Sequence, residues 1–477
     1  MKFLMVHDYQ DYVFGNFEPL GIMYIMTAAR NAGHQVRIVE DKFDKVCSVM
    51  EEWEPDFVGY GPYTGYHQNL IDFNRRLKER YAFTSVFGGP HATFFPEMIE
   101  NEGVDIVCRG EGEAAIAEAL DKAEKGEDYS EVPNLWVKRN GMIHKNMVRA
   151  LQPVLEEFDF PARDLFYTFP NARDNKVKVL ITARGCPYSC SYCYNYKIKE
   201  LYKDTPVKHL RHRKVEAVIE EIDQIRADYP LDFIYFGTDC FAAKKDWVLE
   251  FSEQYRRAGH PPFICISRPE TINPEVCRAL KSAGCVTIGI GIEAGDQQLR
   301  YELLNRRMSD EQIIKAAHEI HDAGLKMFSF NIMGFPGETY EQCLKTMYIN
   351  QKCRSDMVTI FLFQPYPRTK LAEYAVEHGY FSGDYDHLSS SWFLNSPIDN
   401  KDKKRIERLL KIAPLGVEFP WLTPMIKFGT KLPLNLFYFI IARLFKSYCY
   451  RMRIMPVKIG FRKTLRLILD YVFDFGK

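Results

Sequence analysis

Between Lys2 and Gln364, short β-branched or aromatic runs alternate with amphipathic helical stretches, and a chain patterned this way folds into parallel sheets covered by helices. The alternation comes in two blocks. In the first, strands are expected at Lys2 to His7, Gln35 to Glu40, Asp56 to Tyr60, Ser85 to Gly88 and Asp105 to Cys108. These predict a flavodoxin-like Rossmann domain over residues 1–150, whose ligands bind at the carboxyl ends of the strands. The loops there are His7 to Asn16, Gly59 to Gln68, Gly88 to Phe95 and Arg109 to Glu113. Asn140-Gly141, between two apolar runs, predicts a type I′ hairpin closing the domain. A linker containing Pro153, Phe158 and Pro161 spans 151–172.

In the second block strands are expected near Val179 to Thr182, Phe233 to Gly237, Phe263 to Ser267, Val286 to Glu293, Lys326 to Met333 and Val358 to Gln364. Six βα units over 173–385 predict a partial (β/α)6 barrel with active residues at the carboxyl ends of its strands. A basic helical region, 386–477, follows, and the whole reads as an α/β protein. The twelve cysteines form no disulfide framework and no signal peptide opens the chain, so a reducing, cytoplasmic setting is expected. Formal net charge is zero, yet Trp421 to Lys477 holds eleven Lys or Arg against two Asp.

The strongest chemical signal is Cys186-x-x-x-Cys190-x-x-Cys193, placed just after a predicted strand. Three thiolates can hold three irons of a 4Fe-4S cluster and leave the fourth iron open to a substrate. A zinc site is the competing reading, with His209 or His212 as fourth ligand, but zinc ligands usually come as two short-spaced pairs and no second Cys pair follows. Gly185 and Pro187, shaping the turn, also favour the cluster.

At this motif the chain resembles the radical S-adenosylmethionine (SAM) superfamily. The resemblance implies that the open iron chelates the amino and carboxylate groups of SAM, and that one electron splits it into methionine and a 5′-deoxyadenosyl radical. It places Tyr192 on the adenine, with ordinary loop packing as the alternative. Gly237-Thr238-Asp239 stands where the family's glycine-containing segment holds the methionine amino group, although the commoner form is Gly-Gly-Glu. Ser267 and Arg268 correspond to residues that reach the ribose and the carboxylate, a task suited to the arginine fork. In Ile288-Gly-Ile-Gly-Ile-Glu293-Ala-Gly295 the resemblance implies that Glu293 and Gly295 face SAM, with a salt bridge from Glu293 to Arg268 or Arg300 as the alternative. Met333-Gly334-Phe-Pro-Gly337-Glu338-Thr339 matches the family's turn after the fifth strand and implies a SAM contact at Gly334, while Glu338 or Thr339 can cap the next helix. Gln364 to Thr369 is a further family-like segment suited to substrate or cofactor.

The first domain is similar to the cobalamin-binding domain of one large radical SAM subfamily, through Pro19-Leu20-Gly21, Gly88-Gly89-Pro90-His91-Ala92-Thr93 and Cys108-Arg109-Gly110-Glu111-Gly112-Glu113. Small residues there would let backbone lie against the corrin or its nucleotide tail. The Asp-x-His-x-x-Gly motif that supplies histidine to cobalt is absent, which argues against His ligation more than against binding. His91 is expected to be structural or to touch the tail. A degenerate domain that lost cobalamin is the alternative.

The resemblance reaches about Gly383 and implies an oxygen-sensitive enzyme that methylates an unactivated carbon of a small-molecule or lipid precursor. In such a reaction the deoxyadenosyl radical takes hydrogen from the substrate, and the carbon radical takes methyl from methylcobalamin between the domains. A flavodoxin or ferredoxin would donate the electron. Radical ring formation or oxidation, as in the anaerobic porphyrin cyclase branch, is the nearest alternative. tRNA methylthiolation is disfavoured because the first domain has only Cys47 and Cys108. A zinc-stabilised, membrane-associated binding protein is the alternative of another class.

In the tail, the apolar run Leu434 to Ile441 is too short to cross a bilayer. With Lys427, Lys431, Arg443, Lys446, Arg451, Arg453, Arg462, Lys463 and Arg466 around it, the region reads as basic amphipathic helices for an anionic membrane surface, or as a helical cap on the barrel. Nucleic acid is disfavoured, since no RNA-binding module is recognisable.

Overall fold

The computed structural model describes residues 1–8, 18–388 and 395–455. Five parallel strands, β1 (Lys2–His7), β2 (Gln35–Glu40), β3 (Phe57–Tyr60), β4 (Thr84–Phe87) and β5 (Ile106–Cys108), lie in the order β2-β1-β3-β4-β5. The antiparallel hairpin β6 (Leu135–Arg139) and β7 (Met142–Lys145) extends the sheet beyond β5. Asn140 and Gly141 both have positive φ, 52° and 75°, as a type I′ turn requires. Strand order reverses between β1 and β3, which puts the ligand crevice at the loops after those strands. Residues 9–16 of the first of these loops lie outside the described residues.

The second sheet has six parallel strands, β8 (Val177–Leu180), β9 (Phe233–Phe236), β10 (Phe263–Ser267), β11 (Cys285–Glu293), β12 (Lys326–Met333) and β13 (Met357–Leu362). Each pairs with its sequence neighbour, giving an open half-barrel. Side chains alternate across it, and Ile234, Phe236, Phe263, Cys265, Ile288 and Ile290 pack towards the helices. On the inner face Phe233, Ile264, Phe328 and Met357 meet Cys449, Ile454 and Met455 from far along the chain. The Thr287 hydroxyl donates to the Ile454 carbonyl at 3.0 Å, so residues 449–455 form a floor inside the half-barrel.

Helix Lys403–Glu418 covers helix Tyr340–Cys353 and β13, and helix Asn435–Cys449 packs on it through Tyr438. The described part of the tail is therefore a helical cap, as one of the two expectations for it had it. Arg462, Lys463 and Arg466 lie outside the described residues, as does the side chain of Arg451.

A buried ionic network joins the two sheets. Arg163 of the linker donates to Glu18 of the first domain and, at 2.8 Å, to Glu221 of the barrel. Tyr167 Oη donates to Glu18 at 2.6 Å, and Arg213 closes on Glu221. Charges so deeply buried are tolerated only when paired and hydrogen-bonded, and here the pairing fixes how the domains face one another.

Candidate active site

All six strands of the half-barrel run one way, so their carboxyl ends share a rim. The cysteine loop stands on it beyond β8, with Cys190 buried, Cys186 and Cys193 half-buried, and all three thiols free. Lys199, on helix Tyr194–Leu201, braces the loop by donating to the Pro187 and Tyr188 carbonyls, both at 2.8 Å, and to Ser189 Oγ at 2.9 Å. Arg268 Nη1 lies 3.0 Å and Arg306 Nη1 3.6 Å from Cys190 Sγ, while Asn195 Nδ2 lies 3.8 Å from Cys193 Sγ.

This donor set fits an iron-sulfur cluster. The thiols serve three different irons, so they need not converge on one point, and two guanidinium groups favour negative sulfur. Burial pushes the Cys186 thiol up to about 12 and that of Cys193 to about 11, so metal must displace protons to bind. Among the described residues no three His, Cys, Asp or Glu gather around a single metal ion. Of the histidines considered for zinc, His209 lies 3.3 Å from Asn195 Oδ1, and His212 packs against Trp247.

Next to the cysteines lies a polar cluster. Glu293 ends β11 at a register shift with φ of 69°, unusual for a residue with a side chain. Its carboxylate is 3.9 Å from Arg306, not paired with Arg300, which bonds Asp310 and the Ala294 carbonyl instead. Burial raises the Glu293 carboxyl, and Arg306, Tyr192 and Arg268 pull it back. Arg306 is buried, donates to the Gly291 carbonyl and to Tyr192 Oη, and leaves its Nε unpartnered. Tyr192 is half-buried against Phe335. Arg268 stacks 3.7 Å above the Tyr188 ring and pairs with Glu270.

The other residues singled out in the sequence divide by what they touch. Asp239 is on the open side of the rim and accepts from Asn195 at 3.1 Å; Gly237 precedes it. Thr238 faces inward, its hydroxyl accepting from the Thr182 amide at 2.7 Å. Ser267 is buried and accepts from the Ala242 amide at 3.1 Å. Gly295 lies against the backbone of helix Tyr340–Cys353, where a Cβ would come within 2.1 Å of the Lys345 carbonyl carbon. Gly334 has φ of 81°, and its amide donates to Glu338 at 2.7 Å, so Glu338 turns back into the loop. Thr339 caps the helix, in a capping box with Gln342. Gln364 is buried and donates to the Asn395 carbonyl at 2.6 Å.

The carboxyl edge of the first sheet faces this rim. Tyr194, next to Cys193, stacks on Phe94 at 4.9 Å and reaches Thr64 Oγ1 at 3.3 Å. Thr64 in turn bonds His91 Nδ1 at 3.0 Å, and His91 stacks on His67 at 3.7 Å. Burial lowers the His91 imidazole to about 3, which keeps it neutral. Beside it Gly88 is half-buried, and Gly89 and Pro90 are exposed. The Arg109–Glu111 loop is turned to the barrel: Glu111 receives Arg211 and Arg184, and Arg109 stacks on Trp136. A Cβ on Gly110 would meet Tyr202 Oη at 1.9 Å, so that glycine admits a barrel side chain.

The family model of the radical SAM superfamily matches residues 180–347, and that of the B12 binding domain matches 8–120. The chain belongs to the cobalamin-binding radical SAM enzymes. An uncharacterized methyltransferase of Pyrococcus horikoshii is 29% identical over 412 residues, spanning 83% of this chain and 86% of the relative. The anaerobic magnesium-protoporphyrin IX monomethyl ester cyclase of Cereibacter sphaeroides is 23% identical over 383 residues, 75% of this chain and 60% of the relative. The structure of the cobalamin-dependent SAM radical enzyme OxsB, solved with aqua-cobalamin and SAM, has the same fold, with a TM-score of 0.66 at 13% identity over 98% of this chain and 78% of that one. The radical SAM and B12-binding domains imply a 4Fe-4S cluster, SAM and cobalamin as this protein's cofactors, and radical SAM chemistry needs an electron from a reductant. Zinc as the organising metal is thereby set aside. Among the described residues no helix is long and apolar enough to cross a membrane.

Lys199, Tyr194, Tyr202 and Arg306 were not singled out in the sequence. For Arg306 the only local hint is an arginine soon after the Glu-Ala-Gly turn, and nothing in sequence marks it as the buried one of the pair Arg306-Arg307.

Proposed function

We propose that this radical SAM enzyme methylates an unactivated carbon of a small-molecule or lipid precursor at the interface between its two domains. The observation that carries the proposal is the junction at Tyr194, where the helix leaving Cys193 meets the loops of the B12-type domain. It puts the cysteine loop and the carboxyl edge of the first sheet on one cleft.

In this reading Cys186, Cys190 and Cys193 hold the cluster, and Lys199 keeps their loop in place. Arg306 and Arg268 supply guanidinium donors for the SAM carboxylate, and Glu293 and Asp239 supply acceptors for its amino group. Tyr192 lies where an adenine can pack, and Gly237 leaves the rim of β9 low enough for SAM to approach. Gly88, Gly89, Pro90 and His91 face cobalamin from the first domain, while Gly110 and Glu111 shape its cleft through the barrel contacts they make and Arg109 through its place on Trp136. When bound, the cofactors supply an electron, a carbon-centred radical and a methyl group. The protein's part is to hold the neutral His91 and the aromatic wall of Phe94, Tyr194 and Tyr366 around the reacting centres and to keep water out.

The test is the cobalt and iron content of anaerobically purified protein, together with SAM cleavage by the Cys186→Ala, Cys190→Ala and Cys193→Ala variants. Cobalt near one per chain, and no cleavage in any variant, is the expected result. Retained cleavage would overturn the cluster assignment. Iron without cobalt would overturn methyl transfer in favour of ring-forming chemistry, the reading supported by the similarity to the porphyrin cyclase.

A further inference from the structure

Residues 419–455 carry a surface unlike the rest of the molecule. Of the sixteen large apolar side chains that stand exposed among the described residues, eleven lie between Phe419 and Met452. Trp421, Met425, Phe428 and Phe437 are each more than half exposed. Helix Asn435–Cys449 is apolar on two faces: Tyr438 and Cys449 are buried against the protein, whereas Phe437, Leu444 and Tyr448 point outward along one stripe. A helix that is apolar nearly all round calls for a second covering layer.

Charge selects what that layer is. From Phe419 to Met455 the chain has six Lys or Arg and no Asp or Glu. Arg453 is spent on Glu418, and the Arg443 guanidinium lies 4.1 Å over the Phe439 ring, drawn towards the apolar surface. A second copy of this chain would set basic face against basic face. An anionic bilayer offers both an apolar interior and negative headgroups. The helix has 15 residues, about 22 Å at 1.5 Å per residue, too short for a hydrocarbon layer of about 30 Å, so it can lie on a membrane but not span one.

We propose that residues 419–455 form a peripheral docking surface for an anionic phospholipid bilayer, with the exposed apolar side chains entering the headgroup boundary and Lys427 and Lys431 meeting lipid phosphates. This goes beyond the methyl-transfer proposal and stands or falls separately from it. The test is co-sedimentation of the full-length holoenzyme with vesicles of phosphatidylcholine, with and without phosphatidylglycerol. Binding is expected only with phosphatidylglycerol, and is expected to weaken as salt shortens the screening length. Neutralising two basic residues with Lys427→Gln and Lys431→Gln should weaken it about thirty-fold. Trp421→Ser with Phe437→Ser should abolish it, while SAM cleavage persists as the check on folding. Equal binding to both vesicle types, no binding to either, or unchanged binding by these variants would overturn the proposal. So would a vesicle-free dimer that Trp421→Ser dissolves, since a second copy would then be the cover.

Discussion

Two glycines on the barrel rim, both expected from sequence to touch SAM, are set apart by what a methyl group would meet. At Gly295 an added Cβ would fall 2.1 Å and 2.2 Å from the Lys345 carbonyl carbon and oxygen and 2.2 Å from the Thr346 nitrogen. These are backbone atoms of a helix, so no side chain can swing away, and the helix must retreat by more than 1 Å, roughly the gap to ordinary contact. That retreat also stretches the 2.8 Å bond from the Gly295 amide to Thr346 Oγ1. Overpacking of about 1–3 kcal/mol and a lost hydrogen bond of about 1 kcal/mol give about 2–4 kcal/mol for Gly295→Ala. At Gly237 the nearest atoms to the same methyl are side-chain carbons of Tyr235 and Val179 at 3.5 Å, an ordinary contact. Gly237→Ala should therefore change stability by less than about 1 kcal/mol, yet weaken SAM about tenfold or more by lifting it off the strand end. Anaerobic urea unfolding followed by circular dichroism, with SAM affinity by equilibrium dialysis, separates the two. If Gly295→Ala unfolds with the wild type, or Gly237→Ala loses as much stability as Gly295→Ala, the assignment of one glycine to packing and the other to ligand is refuted.

Arg306→Lys keeps a charge but loses the fork that reaches Cys190, Tyr192 and the Gly291 carbonyl, so SAM affinity should drop about ten- to a hundred-fold with cluster iron retained, as dialysis and iron assay would show. Burial holds the Glu338 carboxyl up at about 7, above its usual 4.5, so between those values the folded protein keeps a proton that the unfolded chain has lost. Stability should therefore fall by about 3 kcal/mol as pH rises through this window, and Glu338→Gln should flatten the pH dependence of the urea midpoint; an unchanged slope counts against it. Glu111→Gln leaves Arg211, which is nearly buried, with a weakened partner and should cost about 2–4 kcal/mol and speed proteolysis in the 151–172 linker, readable on a gel.

Much of the fold was legible because its strands are bounded by strong local signals. Lys2–His7, Gln35–Glu40, Phe263–Ser267 and Lys326–Met333 fall where their β-branched runs begin and end, and the others differ by a residue or two, where glycine or a turn leaves the edge soft. The cysteine loop was legible because its spacing is its chemistry. What the sequence could not disclose is which partner a residue meets across the fold. Glu111 and Gly110 have the composition of a cofactor loop, and only the tertiary structure shows Arg184, Arg211 and Tyr202 arriving from the barrel. Either Glu338 or Thr339 could have capped the helix; the positive φ at Gly334 and Gly337 bends the loop back on Glu338 and leaves the cap to Thr339. Arg306 stayed hidden because deep burial of an arginine is decided by the carbonyl and the tyrosine around it, which are distant in sequence.

The floor made by residues 449–455 bears on how the protein is born. Phe233, Ile264, Phe328 and Met357 leave the ribosome long before Cys449, Ile454 and Met455 do, so a growing chain can zip all six barrel strands while their inner face still lies open to water. For that interval the nascent half-barrel is a basket lined with aromatic side chains, prone to capture by another chain or to holding by a chaperone. Release awaits residues 449–455, which seal a chamber whose cysteine loop was made more than two hundred residues earlier.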